Sequence, residues 1–287
     1  MSSTVTFFGV TQSKPLGADS QHTSLRSTVL SLITHGYAVM KMPMTAQIAV
    51  WSTLDGISRV PKEQSRDFCF PDRTDGFLLK GGEHAKYTEN VDLCDRFCYW
   101  HKHRGLHSGH PFVDTPVYKD IQKSESELWS LSQRIVSGLW DFFRNEDQMI
   151  IRDSSYVQLC MYENGHQVDD RGYLQDRHED GHLITLIKPT RDGLVIFLSD
   201  EEVPVHLADD EIIVITGSLL TLLSDGKIPT MYHAVRNPKM ELSRKSLVYF
   251  AIPDLGQPYT TLLEKKTINI ASIADESHRA FGNAPLI

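Results

Sequence analysis

Asp176-Arg-His-Glu-Asp-Gly-His-Leu-Ile-Thr-Leu-Ile187 decides how the rest of the chain is read. Its second half is a run of leucine and β-branched residues, which predicts a β-strand. On a strand, residues two apart face the same way, so His178 and Asp180 would present an imidazole and a carboxylate on one side of a sheet. One histidine and one carboxylate are two-thirds of a 2-His-1-carboxylate set, which leaves three positions of Fe(II) open. The third ligand must come from elsewhere, and His233, in Met231-Tyr-His-Ala-Val-Arg236, lies on a later short apolar segment. Taken alone, a His-x-Asp is usually a surface pair and no more.

A second pair lifts it above that. Arg244 and Ser246, in Ser243-Arg-Lys-Ser-Leu-Val-Tyr-Phe250, also stand two apart on a predicted strand. A guanidinium fork binds a carboxylate through two parallel hydrogen bonds, and a hydroxyl on the same face adds a third donor. A metal triad followed by a carboxylate clamp points to a dicarboxylate that also touches the metal. The order His178-x-Asp180, His233, Arg244-x-Ser246 resembles the Fe(II)/2-oxoglutarate oxygenases of the isopenicillin N synthase-like branch. His178-Glu-Asp-Gly-His-Leu-Ile-Thr-Leu186 resembles that branch's histidine-aspartate strand, and Leu222-Leu-Ser-Asp-Gly-Lys227 the segment before its distal histidine.

The resemblance implies that His178, Asp180 and His233 ligate Fe(II) and serve as the catalytic residues. It implies that 2-oxoglutarate chelates the metal while Arg244 and Ser246 hold its far carboxylate, and that O2 is consumed. Tyr162, in Gln158-Leu-Cys-Met-Tyr162, aligns with a tyrosine that contacts the cosubstrate in many relatives. Here Gln158, Cys160 and Met161 replace the arginine, asparagine and first tyrosine of that pattern, so contacts from this strand are expected to differ. The implied activity is oxidation of an unactivated C–H bond of a small polar metabolite, such as an amino acid derivative. Hydroxylation, desaturation and ring closure all remain open, with succinate and CO2 as co-products. A specialised-metabolism role is a family-level expectation.

Composition fits an ordinary globular protein. The chain has 287 residues, 40% hydrophobic and 23% charged, with a formal charge of −8. The acidic balance argues against nucleic-acid binding, which needs a basic surface. No apolar run reaches membrane-spanning length and the N-terminus lacks a signal-peptide pattern, so a cytoplasmic protein is expected. Four cysteines are too few for a disulfide scaffold. Cys94, Cys98, His101 and His103 form a compact C-x3-C-x2-H-x-H cluster, a rival structural zinc site without the loop that usually lets ligand pairs face each other.

Along the chain, residues 1–20 read as an extended lead-in. From Ser20 to Gly36, Leu25, Val29, Leu30 and Ile33 predict a helix, and Tyr37–Met42 a strand. Helices follow at residues 45–57 and 62–66. Residues 67–115 lack a regular period and read as long loops, in which Lys80, Lys86, Arg96, Lys102, Arg104 and nearby histidines are candidate substrate contacts. The apolar stripe Ile121, Leu128, Leu131, Ile135, Leu139, Phe142 predicts one long backing helix over 119–143.

From Ser155 the pattern becomes short apolar runs at 156–162, 183–188, 194–198, 212–216, 219–223, 231–235 and 246–252, with turn signals between, Asn164-Gly among them. That is the rhythm of a β-sandwich or barrel. The expected fold is α+β and mainly β. A double-stranded β-helix (jelly roll) core carries N-terminal helices and the backing helix, as one oxygenase domain over 1–287. Its parts are an N-terminal region 1–150, a catalytic core 151–255 and a polar, helical tail 256–287. Glu179 is expected to point away from the metal, and His182 to lie behind the ligands or on the surface. Asp176 and Arg177 read as a solvated turn, and His166, His206 and His278 as surface residues. The alternatives are an iron oxidase of the same fold that needs no 2-oxoglutarate, and a non-catalytic metal- or ligand-binding β-barrel.

Overall fold

Strand β12 (Arg244–Ala251) shows how the molecule is layered. Leu247, Tyr249 and Ala251 belong to one buried apolar cluster, while Val248 and Phe250 belong to a second on the opposite face. The two-residue period of a strand sends alternate side chains to opposite faces, so a sheet with cover on both sides carries apolar residues at nearly every position. The computed structural model describes residues 24–85, 88, 90–147, 149–162, 171–238 and 243–287. The expected lead-in at 1–20, the Asn164-Gly turn, His166 and Lys86 lie outside these residues.

Helix α1 (Leu25–His35) starts where the Ser24 hydroxyl accepts from the Ser27 amide, and Gly36, at φ +78°, ends it. Ser24 therefore caps the helix that the sequence places from Ser20. Leu30 of the predicted stripe is solvent-exposed, and Leu32 is buried instead. Strand β1 (Tyr37–Lys41) leads to α2 (Met44–Ile57) and α3 (Lys62–Asp67), each entered after a proline.

Strands β2 (Cys69–Phe70), β3 (Asp75–Leu78) and β4 (Asp95–Trp100) follow. This corrects the long-loop reading of 67–115. Five of the six β4 residues are buried, and a strand buried on both faces shows no alternation to detect. Asp75 anchors the turn beyond: its Oδ2 accepts from His103 Nδ1 at 2.9 Å and His107 Nε2 at 2.7 Å.

Helix α4 (Pro116–Phe142) is capped by the Thr115 hydroxyl and buries Leu128, Leu131, Ile135 and Leu139. Phe142 of its predicted stripe is half exposed. Then come β5 (Tyr156–Tyr162), β6 (Tyr173–Glu179), β7 (Ile184–Pro189), β8 (Leu194–Leu198), β9 (Glu201–Pro204) and β10 (Glu211–Thr216). Residues 219–223, grouped with the strands from sequence, form helix α5 (Ser218–Leu223). Its buried Leu219, Leu220 and Leu223 follow helical spacing. Strand β11 (Tyr232–Arg236) precedes β12, and the small hairpin β13 (Tyr259–Thr260) and β14 (Thr267–Ile268) leads to α6 (Ala271–Ala280).

An eight-stranded antiparallel sheet runs β1-β10-β7-β12-β5-β4-β3-β2, and a four-stranded sheet runs β6-β11-β8-β9. This is the jelly-roll arrangement expected. Helices α1, α2 and α4 pack on the outer face of the large sheet. Among the described residues, no helix is long and apolar enough to cross a membrane.

Candidate metal centre and its cavity

His178 and His233 are directly opposed on β6 and β11. Opposed residues of antiparallel strands carry adjacent side chains, and these imidazoles lie 4.2 Å apart between centroids. Asp180, just past β6, faces both: Oδ1 is 3.8 Å from His178 Nε2 and Oδ2 is 3.9 Å from His233 Nε2. Three potential ligand atoms converge within 4.8 Å, the one such group of three or more among the described residues.

Local bonds aim these groups. His178 Nδ1 lies 2.7 Å from the Asp176 carbonyl. A carbonyl only accepts, so Nδ1 carries the proton and Nε2 keeps its lone pair for a cation. Thr185 donates to Asp180 Oδ2 at 2.5 Å. Burial works to raise the Asp180 carboxyl, but the His233 and His178 imidazoles and Thr185 hold it below the usual carboxylate range. Burial, with His178 beside it, lowers His233 to about 4, so that imidazole is neutral and ready to ligate.

Two glycines permit this packing. A Cβ on Gly217 would lie 2.1 Å from the His182 carbonyl oxygen and 2.7 Å from that of Asp180. The first turn of α5 approaches the ligand segment this closely, with Ser218 N donating to Asp180 O at 2.8 Å. Gly181 lets α6 press down from above, since its Cβ would meet Ser277 Oγ at 2.0 Å.

The triad borders a cavity of about 50 Å³ that opens to solvent at its mouth. Arg244 and Ser246 border it too, brought there by β12. Arg244 is 1% exposed. Its Nη1 donates to Ser246 Oγ at 2.8 Å and its Nε to the Asp192 carbonyl at 3.2 Å. Among the described residues its Nη2 is buried without a partner. A buried guanidinium with an unused donor fits an anion arriving from the cavity. Tyr162 lines the same cavity under Arg244, 5.0 Å from guanidinium carbon to ring centroid. Its hydroxyl donates to Gln175, which in turn donates to Asp92 at 2.8 Å.

Several expectations from sequence are corrected. His278 is 3% exposed and borders the cavity, and burial, then His182 and Arg96, lower it to about 3. His182, expected behind the ligands or on the surface, is buried and borders the cavity, with burial lowering it to about 4. Arg177 and Asp176 lie on β6, not in a turn; Arg177 pairs with Asp200 and covers the Phe197 ring. His206 is a surface residue paired with Asp192.

Lys80, Lys102 and Arg104 are exposed, and Arg96 is buried behind Glu83 at 3.0 Å, so none of these four lines the cavity. Glu83 and Asp92 line it instead. The Cys/His zinc cluster is not formed: Cys94 and Cys98 sit in the inter-sheet core, His103 bonds Asp75 and His101 faces Glu125. Gln158 and Cys160, noted for departing from a familiar pattern, share the cavity face of β5 with Tyr162.

The model of the 2OG-Fe(II) oxygenase superfamily matches residues 148–253. No curated protein sequence matches the chain. Among solved structures, a putative 2OG-Fe(II) oxygenase family protein from Caulobacter crescentus superposes with a TM-score of 0.71 and 16% identity, over 89% of this chain and 93% of that one. A full-length Neurospora crassa protein, solved in complex with alpha-KG, gives 0.70 and 15%, over 89% of each chain. JOX2 in complex with 2OG, Fe and JA gives 0.70 and 15%, over 90% of this chain and 81% of that one. At these identities the likeness is one of fold.

Proposed function

We propose that this chain, whose residues 148–253 match the model of the 2OG-Fe(II) oxygenase superfamily, is an oxygenase that oxidises an unactivated C–H bond of a small polar molecule. His178, Asp180 and His233 are the metal ligands in this reading, and Arg244 with Ser246 holds the far carboxylate of 2-oxoglutarate. Bound iron and 2-oxoglutarate supply the oxidising chemistry, with succinate and CO2 as co-products. The protein's own residues do the positioning. Thr185 and the Asp176 carbonyl orient two ligands, and Tyr162 gives the Arg244 fork a flat aromatic support.

The observation that carries the proposal is Arg244 Nη2, unpartnered among the described residues and buried in the same cavity as three converging ligand atoms. A binder that only held a metal would have no use for it. The expectation of an amino acid derivative rests on cations of the 80–110 region. Those among the described residues lie off the cavity, so the proposal keeps the small polar molecule and drops that narrower preference.

Anaerobic titration tests it. Fe(II) followed by 2-oxoglutarate should develop a visible metal-to-ligand charge-transfer band that weakens in Arg244→Ala. Bound iron without a band would favour an oxidase independent of 2-oxoglutarate, and no iron binding would sink the catalytic reading.

A further inference from the structure

The oxygenase reading leaves the substrate wall unassigned, and its charge inventory is unequal. Glu83, on this wall, is fully matched: Arg96 pairs with it at 3.0 Å, and Gln158 Nε2 and Asn283 Nδ2 each donate to it at 3.1 Å. Asp92 has fewer partners. Among the described residues its carboxylate accepts only from Gln175, at 2.8 Å. Burial, with Glu83 nearby, pushes the Asp92 carboxyl up to about 6, which leaves it largely ionised at neutral pH and short of donors. Arg244 is the one arginine or lysine of the cavity lining among the described residues, and the oxygenase reading commits its free donor to 2-oxoglutarate.

Two imidazoles on the same cavity are also unused. Among the described residues, His182 Nδ1 and His278 Nε2 are buried with no hydrogen-bond partner, on side chains 7% and 3% exposed. Burial keeps the His278 ring neutral, and a neutral imidazole can donate and accept but offers no positive charge. Tyr156 stands edge-on to both rings, and Phe250 lies 4.5 Å from His182. The wall thus presents flat apolar faces, neutral polar edges and one under-used carboxylate.

Resting on the oxygenase reading, we propose that the substrate is an uncharged or cationic polar molecule. Asp92 accepts a hydrogen bond from it, His278 engages a second polar group, and these two residues set specificity. An N–H or O–H of the substrate gains a charge-assisted bond at Asp92. An anionic substrate meets that carboxylate in a desolvated site and is rejected by like charge. His278 arrives on α6 and Asn283 from the segment after it, so the chain's C-terminal portion, through its own side chains, builds part of the substrate wall.

The test uses the 287-residue chain loaded anaerobically with Mn(II) and 2-oxoglutarate. Binding is read by thermal shift and calorimetry with matched probes: nicotinamide, nicotinate and 3-(aminomethyl)pyridine; benzamide, benzoate and benzylamine; uracil and orotate. The amide, amine or uracil member of at least one set should bind at millimolar concentration, with its carboxylate partner about tenfold weaker or worse. Asp92→Asn should narrow that gap by strengthening the carboxylate and weakening the amine, and His278→Phe should weaken the polar probes without altering 2-oxoglutarate binding.

The proposal is overturned if a carboxylate binds the wild type as well as its neutral partner. It is overturned equally if no neutral or cationic probe binds, or if Asp92→Asn leaves the order of probes unchanged. Failure of Mn(II) and 2-oxoglutarate themselves to stabilise the protein is a separate result, which removes the oxygenase reading and this proposal with it.

Discussion

Thr185 is the smallest change that tests the centre. Its hydroxyl holds Asp180 Oδ2 at 2.5 Å, and valine keeps the branched shape without the donor. Thr185→Val should leave the fold intact and weaken Mn(II) or Fe(II) binding about 10- to 100-fold, as loss of a ligand-orienting hydrogen bond does; calorimetric titration checks it. His278 makes a pH prediction. Burial holds this imidazole neutral in the folded chain, lowered to about 3 from the ordinary 6.5. The unfolded chain takes up the proton first, so the stabilising contribution is full above pH 6.5 and is lost as pH falls toward the folded value. Metal-free protein should therefore weaken by up to about 1.4 kcal/mol per pH unit from this residue. His278→Gln should show a shallower decline in urea unfolding between pH 7 and 5.

Helix α6 reaches the cavity because the ligand segment beneath it has no side chain at one position. A Cβ on Gly181 would sit 2.0 Å from Ser277 Oγ and 2.7 Å from Ser277 Cβ. Gly181→Ala should force α6 outward at a cost of about 1–3 kcal/mol, the usual range for overpacking. Gly181→Ala with Ser277→Gly should recover much of the loss, because the second change removes both clashing atoms; thermal unfolding of the single and double variants decides. The helices legible in the sequence share a single buried face, as in α4. Strand β4 was not legible, because its burial on both faces erased the alternation that marks a strand.

Across the whole molecule, the centre joins the two sheets. His178 and His233 come from the four-stranded sheet, while Arg244 comes from the eight-stranded one. A ligand held by both ends should tie the sheets together. Mn(II) with 2-oxoglutarate at about 100 times its Kd should add about 2.7 kcal/mol to stability, and removal of the metal by a chelator should return the melting temperature to the unliganded value.

The amino-acid sequence by itself determined the local half of the architecture. Two-residue spacing put His178 with Asp180 and Arg244 with Ser246 on common faces, and apolar rhythm marked α1, α4 and most of the core strands. Such periodicities are properties of a single element, so they survive in a linear reading. Only the tertiary structure decided what faces those elements across the cavity. Glu83 and Asn283 bond directly although they lie 200 residues apart, and His278 leaves the surface because α6 folds back over Gly181. Periodicity reports which way a side chain points from its own backbone; the partner it meets depends on how distant segments pack.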